Sequence, residues 1–135
     1  MYTFRFEWNE SHGVGNDILD DQHKQLIGIM NDYYFSMIQG KGDIKAKTYL
    51  EQLLAFAASH FAYEEEYLAG KGYPDLKNHK EEHDSFICSI KDFLRVASTP
   101  TISLPIDMLK FIKKWEQQHM LLTDKKYAEF ISHRF

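Results

Sequence analysis

Apolar residues recur every three or four positions in four long stretches of this chain, and Gly and Pro residues separate the stretches. Such spacing is typical of helices that bury one face. The interruptions are Gly40 and Gly42, and later Gly70, Gly72 and Pro74. The pattern therefore predicts helices over about residues 19–39, 43–69, 75–97 and 104–131.

Four long helices with short connections favour an all-α fold, an antiparallel up-down-up-down four-helix bundle. Residues 1–18, in which Gly13 and Gly15 stand among aromatic residues, predict an irregular N-terminal arm. We interpret the whole chain, residues 1–135, as one domain. Ile38 and Ile106 are expected on inner helix faces, and Cys88 is expected to be a small buried residue.

Composition and charge exclude several classes of partner. The net charge of -4 disfavours nucleic acid, which requires a basic surface. No run of about 18 apolar residues is present to span a membrane, and the start lacks the apolar core of a secretory signal. A cytoplasmic protein, monomeric or a small homo-oligomer, is therefore expected. The single cysteine can form neither an internal disulfide nor a thiolate metal site.

Histidines and an acid fall on the apolar faces of the predicted helices. Residues four apart share a helix face, and so do residues three or four positions from an apolar neighbour. By this spacing the inner faces carry His23, His60, Glu64, His79, His83 and His119. Five imidazoles buried without partners would be costly, and metal coordination satisfies them together. Imidazole and carboxylate without thiolate suit iron, copper or zinc, and so many ligands exceed one tetrahedral zinc. A dinuclear site is therefore predicted, with iron as the favoured metal.

Several motifs resemble the hemerythrin family, specifically its single-domain prokaryotic branch. They are DDQHK at 20–24, HFAYEE at 60–65, GYPD at 72–75, HKEEH at 79–83, and the stretch from Trp115 through His119 and Asp124 to Tyr127. The resemblance extends from about Phe6 to Tyr127. It implies a non-haem di-iron centre, with an oxo or hydroxo bridge, that binds dioxygen reversibly at one open iron position.

The resemblance also implies a role for each ligand. One iron would be held by His79, His83 and His119, and the iron with the open position by His23 and His60. Glu64 and Asp124 would bridge the two. On an α-helix the five-residue step from His119 to Asp124 turns the two side chains roughly 140° apart. Periodicity alone would not select Asp124, and its assignment depends on the family.

A liganding imidazole normally donates its second ring N–H to an outer acceptor. Near His23 the sequence offers Asp20, Asp21 and Gln22 as acceptors. Glu82 is the candidate acceptor for His79 or His83.

Glu116 departs from the family pattern, which has Leu or Ile three residues before the last histidine. On an α-helix Glu116 lies between His119 and Asp124 in azimuth and should point inward. It is a candidate additional iron ligand, directly or through water. Alternatively it bends toward solvent or hydrogen-bonds a neighbouring histidine. The predicted oxygen pocket consists of Leu26, Phe61, Trp115 and Glu116.

Several functions fit these residues. The favoured one is an oxygen carrier, store or sensor, for dioxygen or a related diatomic or peroxide ligand, rather than an enzyme. The alternative is a di-iron redox enzyme acting on peroxide or oxygen, with Glu116 as mobile ligand or proton donor. A ferritin-like oxidase is weaker, because only residues 116–119 match the Glu-x-x-His motif which those bundles use twice. A metal-free structural bundle would require five inward histidines to find partners by chance.

Overall fold

The computed structural model describes Trp8, residues 13–97 and residues 104–134. Three helical spans come first: α1 (Asp17–Ile38), α2 (Gly42–Gly70) and α3 (Leu76–Ala97). The fourth span consists of α4 (Leu104–Trp115), a π-helical segment (Glu116–Thr123) and α5 (Asp124–Arg134). The predicted all-α four-helix bundle is confirmed, and the difference from expectation is the π segment inside the fourth span.

Local signals set the ends of the helices. The Asn16 side chain accepts the backbone N–H of Leu19, so α1 begins two residues earlier than predicted. After α1 and α2 the chain turns at Gly40 and Gly72, whose φ angles are 76° and 67°. Glycine adopts these left-handed angles without the strain that a Cβ would introduce.

Of the predicted N-terminal arm, residues 1–7 and 9–12 lie outside the described part of the chain. The end of the arm packs against the bundle. Lys125 Nζ donates to the carbonyl of Gly13 at 2.6 Å, and the backbone N–H of Val14 donates to Asp20 Oδ1 at 2.9 Å. Val14 is buried, so this short segment lies over the ends of α1 and α5.

The apolar core consists of two clusters with polar residues between them. The larger cluster fills the body of the bundle and includes Phe61, and the smaller includes Val14, Leu68 and Tyr127. The ring of Phe61 stacks on His83, whereas the ring of Tyr127 contacts His79. The buried histidines therefore lie where apolar side chains exclude water on both sides.

Three sequence predictions about burial are wrong. Ile38 is 60% exposed because it is the last residue of α1, and Ile106 is 38% exposed in the first turn of α4. Cys88 is exposed as well. It lies two residues from the buried Phe86 and Ile90, which places it about 200° around α3 from either. Among the described residues, no helix has the length and apolar character that crossing a membrane requires.

Candidate metal centre

The structure brings all seven predicted ligands together in the interior. None of them is more than 2% exposed. Every helical span contributes: His23 from α1, His60 and Glu64 from α2, His79 and His83 from α3, His119 from the π segment and Asp124 from α5. Their potential ligand atoms form two compact groups. One consists of His79, His83, His119 and Glu64, and the other of His23, His60 and Glu64.

Glu64 belongs to both groups because its two oxygens face different histidines. Oε1 lies 2.6 Å from His79 Nε2 and 3.0 Å from His83 Nε2. Oε2 lies 3.5 Å from His23 Nε2 and 3.6 Å from His60 Nε2. The carboxylate therefore stands between two groups of imidazole nitrogens, with one oxygen directed toward each.

Asp124 divides its oxygens in the same way. Its Oδ2 lies 3.3 Å from His23 Nε2. Its Oδ1 lies 3.3 Å from His79 Nε2 and 3.1 Å from His119 Nε2. Both carboxylates thus direct one oxygen toward each group, which is the arrangement that a pair of bridging ligands requires.

The π segment explains how Asp124 and His119 reach the same centre. The backbone N–H of Asp124 bonds to the carbonyl of His119, five residues earlier. In such a helix residues five apart lie one above the other, whereas an α-helix would separate them by roughly 140°. The local backbone therefore brings to one face two ligands that regular periodicity would not pair.

Three of the five imidazoles have an outer acceptor at Nδ1. His60 donates to Gln22 Oε1 at 2.7 Å, His83 to Glu65 Oε2 at 2.8 Å, and His119 to Glu82 Oε1 at 2.9 Å. These partners correct the sequence predictions, because Gln22 serves His60 rather than His23, and Glu82 serves His119 rather than His79 or His83.

The other two predicted acceptors of His23 do not serve it either. Asp20 accepts the backbone N–H of Val14, and Asp21 is exposed. In the described part of the chain His23 Nδ1 and His79 Nδ1 have no hydrogen-bond partner. The sequence did not reveal Glu65 as an acceptor because it lies 18 residues from His83, where no local spacing rule applies.

Burial and mutual charge shift the pKa values of the cluster in opposite directions. Burial lowers the pKa of His60 to about 4. Burial acts in the same direction on His119, but the Asp124 carboxylate and the contact with Glu82 outweigh it and raise the pKa to about 10. Burial opposes ionisation of Glu64, yet its hydrogen bonds with histidines hold the pKa of this carboxyl well below its usual range. Without a metal, the cluster therefore holds ionised carboxylate beside protonated imidazole.

Tyr127 is a functional neighbour that sequence reasoning treated only as an inner-face residue. Its hydroxyl donates to Glu64 Oε2 at 3.0 Å, and its side chain is fully buried. Burial, with the charges of Glu64 and Asp124 nearby, raises the pKa of this phenol well above its ordinary value. Tyr127 therefore stays protonated and remains a donor to Glu64.

Two residues of the predicted oxygen pocket contact the histidines directly. The ring of Phe61 stacks on His83 at 3.8 Å between centroids, and the ring of Trp115 stacks on His119 at 4.6 Å. Leu26 is fully buried in the main core. Trp115 and His119 also line a cavity of about 280 Å³ beside Glu82. Aromatic faces thus cover two of the candidate ligands.

Glu116, the fourth predicted pocket residue, is 3% exposed and forms a salt bridge with Lys113. Its Oε1 lies 3.2 Å from Lys113 Nζ, and its Oε2 is buried with no hydrogen-bond partner among the described residues. The side chain is inward, as expected. The azimuth that placed it between His119 and Asp124 assumed α-helical turns, however, and the segment is π-helical.

The unsatisfied atoms of the cluster fit a metal centre. Both oxygens of Asp124 and both ring nitrogens of His23 are buried without a hydrogen bond in the described structure. Orphaned polar atoms in an apolar interior are costly, and ligation by a cation would satisfy them. Where Nδ1 donates outward, Nε2 carries the lone pair that faces the centre. Imidazole and carboxylate together form a donor set suited to iron.

Comparisons with known proteins agree with this geometry. Residues 14–131 match the hemerythrin HHE cation binding domain. The chain is 31% identical over 129 residues to bacteriohemerythrin from Clostridium acetobutylicum, a match that covers 92% of this chain and 99% of the relative. It is 32% identical over 122 residues to a hemerythrin-like protein from Naegleria gruberi, with 90% of each chain covered.

Solved structures give the same result. The crystal structure of wild-type hemerythrin superposes with a TM-score of 0.80 at 25% identity, covering 94% of this chain and 98% of that chain. The chain therefore belongs to the hemerythrin family of non-haem di-iron, oxygen-binding proteins.

Proposed function

We propose that this chain binds dioxygen reversibly at a di-iron centre held by His23, His60, Glu64, His79, His83, His119 and Asp124. The observation that supports this proposal most strongly concerns Glu64, because each of its two carboxylate oxygens faces a separate group of imidazole nitrogens. We assign His79, His83 and His119 to one iron, His23 and His60 to the iron with the open position, and Glu64 and Asp124 to both. When bound, the iron pair supplies the electrons for reversible oxygen binding.

The protein's own residues have three tasks in this function. The two carboxylates would each hold both metal ions and would partly neutralise their charge. Tyr127 holds Glu64 in place through its hydrogen bond to Oε2. Buried apolar side chains, with Leu26 and Phe61 on the predicted pocket side, exclude water from the interior. Water exclusion strengthens every electrostatic interaction within the site.

Metal analysis and absorption spectroscopy test this proposal. We expect two irons per chain, and a reversible spectral change when the anaerobically reduced protein is exposed to air and then degassed. One zinc and no iron would contradict the di-iron assignment. An irreversible change with rapid oxidation of the iron would contradict the carrier function and favour redox catalysis.

A redox enzyme acting on peroxide or oxygen is the second candidate, and Glu116 is the observation that favours it. A buried carboxylate with one oxygen near Lys113 and the other without a partner could serve as a mobile ligand or proton donor at the open position. We expect Glu116→Leu to lengthen the lifetime of the oxygen complex relative to wild type, because it removes an anion that competes with oxygen. Stopped-flow mixing of reduced protein with oxygen measures this lifetime.

Glu116→Gln is the matched control, since it keeps the shape and removes only the charge. If both variants match a long-lived wild-type complex, Glu116 is a structural residue and the carrier function stands alone. We further propose that the chain is cytoplasmic, monomeric or a small homo-oligomer, and has no nucleic-acid partner, consistent with its net charge of -4.

A further inference from the structure

The outer hydrogen bonds of the histidines are distributed unequally between the two proposed iron positions. At the position of His79, His83 and His119, which is called the first side, His83 and His119 each donate Nδ1–H to a carboxylate, from Glu65 and Glu82. His79 has no Nδ1 partner in the described structure, so two of the three imidazoles on this side have a carboxylate acceptor. On the second side, His60 donates to the neutral amide of Gln22. His23, the other histidine of the second side, has no Nδ1 partner in the described structure.

This difference changes how strongly each imidazole donates to a metal. A carboxylate that accepts the Nδ1 proton pulls the ring toward the imidazolate form, so Nε2 becomes more basic. A hydrogen bond to an ionised acceptor is also roughly twice as strong as one to a neutral acceptor. More basic ligands stabilise ferric iron relative to ferrous iron, because the higher charge gains more from electron donation.

Both carboxylates are held in place by the fold. Thr123, the last residue of the π segment, donates its hydroxyl to Glu82, with Oγ1 2.9 Å from Oε1 and 3.2 Å from Oε2. Glu65 lies within the regular turns of α2, directly after Glu64, so the helix fixes its backbone. The Glu65 and Glu82 side chains are 25% and 43% exposed, so both carboxylates remain in contact with water while they accept from the histidines.

We propose that Glu65 and Glu82 are positioning residues that polarise the centre, making the iron held by His79, His83 and His119 the harder one to reduce. In a titration in which an electrode supplies the electrons, the iron beside His23 and His60 would then be reduced first and would be the ferrous ion of the half-reduced protein. This inference rests on the ligand assignment under the proposed function. It places the reduced metal at the position that the assignment leaves open to oxygen.

A redox titration of the iron-loaded protein tests the inference. Glu65→Gln and Glu82→Gln should raise the potential of the second one-electron step, while Gln22→Glu should lower the potential of the first. Each change closes the gap between the steps, so the fraction of half-reduced protein at the midpoint falls. A gap reduced by about 59 mV corresponds to a tenfold smaller comproportionation constant. Spectroelectrochemistry gives the potentials, and the EPR signal of the half-reduced state gives its amount.

The opposite signs separate tuning from structural damage, since a damaged site would not move the two steps selectively in different directions. Glu66→Gln and Glu81→Gln are matched controls, because these exposed acids lie beside Glu65 and Glu82 on the same helices. The controls should leave both potentials unchanged.

Iron content distinguishes failure of the inference from failure of the proposed function. Wild type without two irons overturns both. Wild type with two irons that takes both electrons in one unresolved step overturns the inference alone, and so do variants that keep two irons with unaltered potentials. If one Gln variant loses its iron, the other variant and Gln22→Glu still decide the outcome.

Discussion

Two helical regions supply most of the metal ligands, regular α-helix in α2 and α3 and π-helical turns in the fourth span. Both regions bring their ligands to comparable distances, although their helical repeats differ. On α2 and α3 the ligands form pairs four residues apart within regular α-helix, His60 with Glu64 and His79 with His83. On the fourth span His119 and Asp124 are five residues apart, and π-helical turns bring them together. The resulting imidazole–carboxylate distances are similar, 3.6 Å from His60 to Glu64 and 3.1 Å from His119 to Asp124.

This comparison shows that ligand spacing has meaning only together with the repeat of the backbone that carries it. A four-residue step indicates a shared face in an α-helix, and a five-residue step does so in a π-helix. The two helical regions also differ in packing, because α2 packs extensively on both α1 and α3, whereas α4, which leads into the π segment, packs less closely on its neighbours.

The largest expected effect comes from removing either bridge. Glu64→Ala and Asp124→Ala should each abolish the dinuclear centre, because each carboxylate faces both groups of histidines. His23→Ala should retain some iron, since the other group keeps its ligands. Iron per chain and the absorption spectrum measure the loss, with exposed Glu66→Ala as control. Glu64→Ala that keeps two coupled irons with an unchanged spectrum would disprove the bridge.

Removal of iron should lower the stability of the protein and should loosen the π segment more than the start of α3. A ligand at about 1,000 times its Kd stabilises by about 4 kcal/mol, so we expect Tm to fall by about 10–20 °C in the metal-free protein. Hydrogen exchange should accelerate more at residues 116–123 than at residues 76–83, because ligation helps to hold the uncommon π register. Equal acceleration in both segments would show that the π turns are stable without metal.

Lengthening the π segment should weaken iron binding. Leu122 is 62% exposed, and inserting one alanine after it makes the step from His119 to Asp124 six residues, which turns the two side chains about 120° apart on an α-helix. We expect the iron affinity to fall by about 10–100-fold, as when a ligand loses its orientation. Leu122→Ala keeps the chain length and should bind iron like wild type. Competition with a chelator measures both, and equal affinities would mean that the centre tolerates either spacing.

The smallest effect concerns protons released on iron loading. In the metal-free protein His119, with a pKa of about 10, carries a proton at neutral pH that the metal must displace. His60, with a pKa of about 4, is already neutral and releases none. The apparent iron affinity should therefore rise by about tenfold per pH unit from this site between pH 7 and 9. An affinity independent of pH would show that His119 is deprotonated before iron arrives.

Sequence reasoning succeeded where the physics is local and periodic. The four helices, the family and the di-iron cofactor are confirmed. The ligand assignment stays a prediction, although the structure gathers all seven side chains. Four-residue spacing identified His60, Glu64, His79 and His83 because α-helical periodicity is regular there. Asp124 required the family, because no propensity rule indicates a π turn.

Outer contacts were harder to predict because they depend on tertiary packing. Glu82 lies on the helix of His79 and His83, yet it accepts from His119, 37 residues away. Gln22 lies beside His23 but reaches across to His60. A side chain next to a ligand in sequence points to a different helix face, so its partner is on a neighbouring helix.

The π segment also affects how this protein can change over evolution. Helical turns with one residue more than regular α-helix absorb an insertion locally, so α4 and α5 each keep their own buried stripe, with Leu109 and Ile112 before it and Tyr127 after it. A later loss of one residue between His119 and Asp124 would leave a four-residue step, which regular α-helical turns also place on one face. The chain length at this point can then vary by one residue while the bundle and its pair of metal ligands are both inherited.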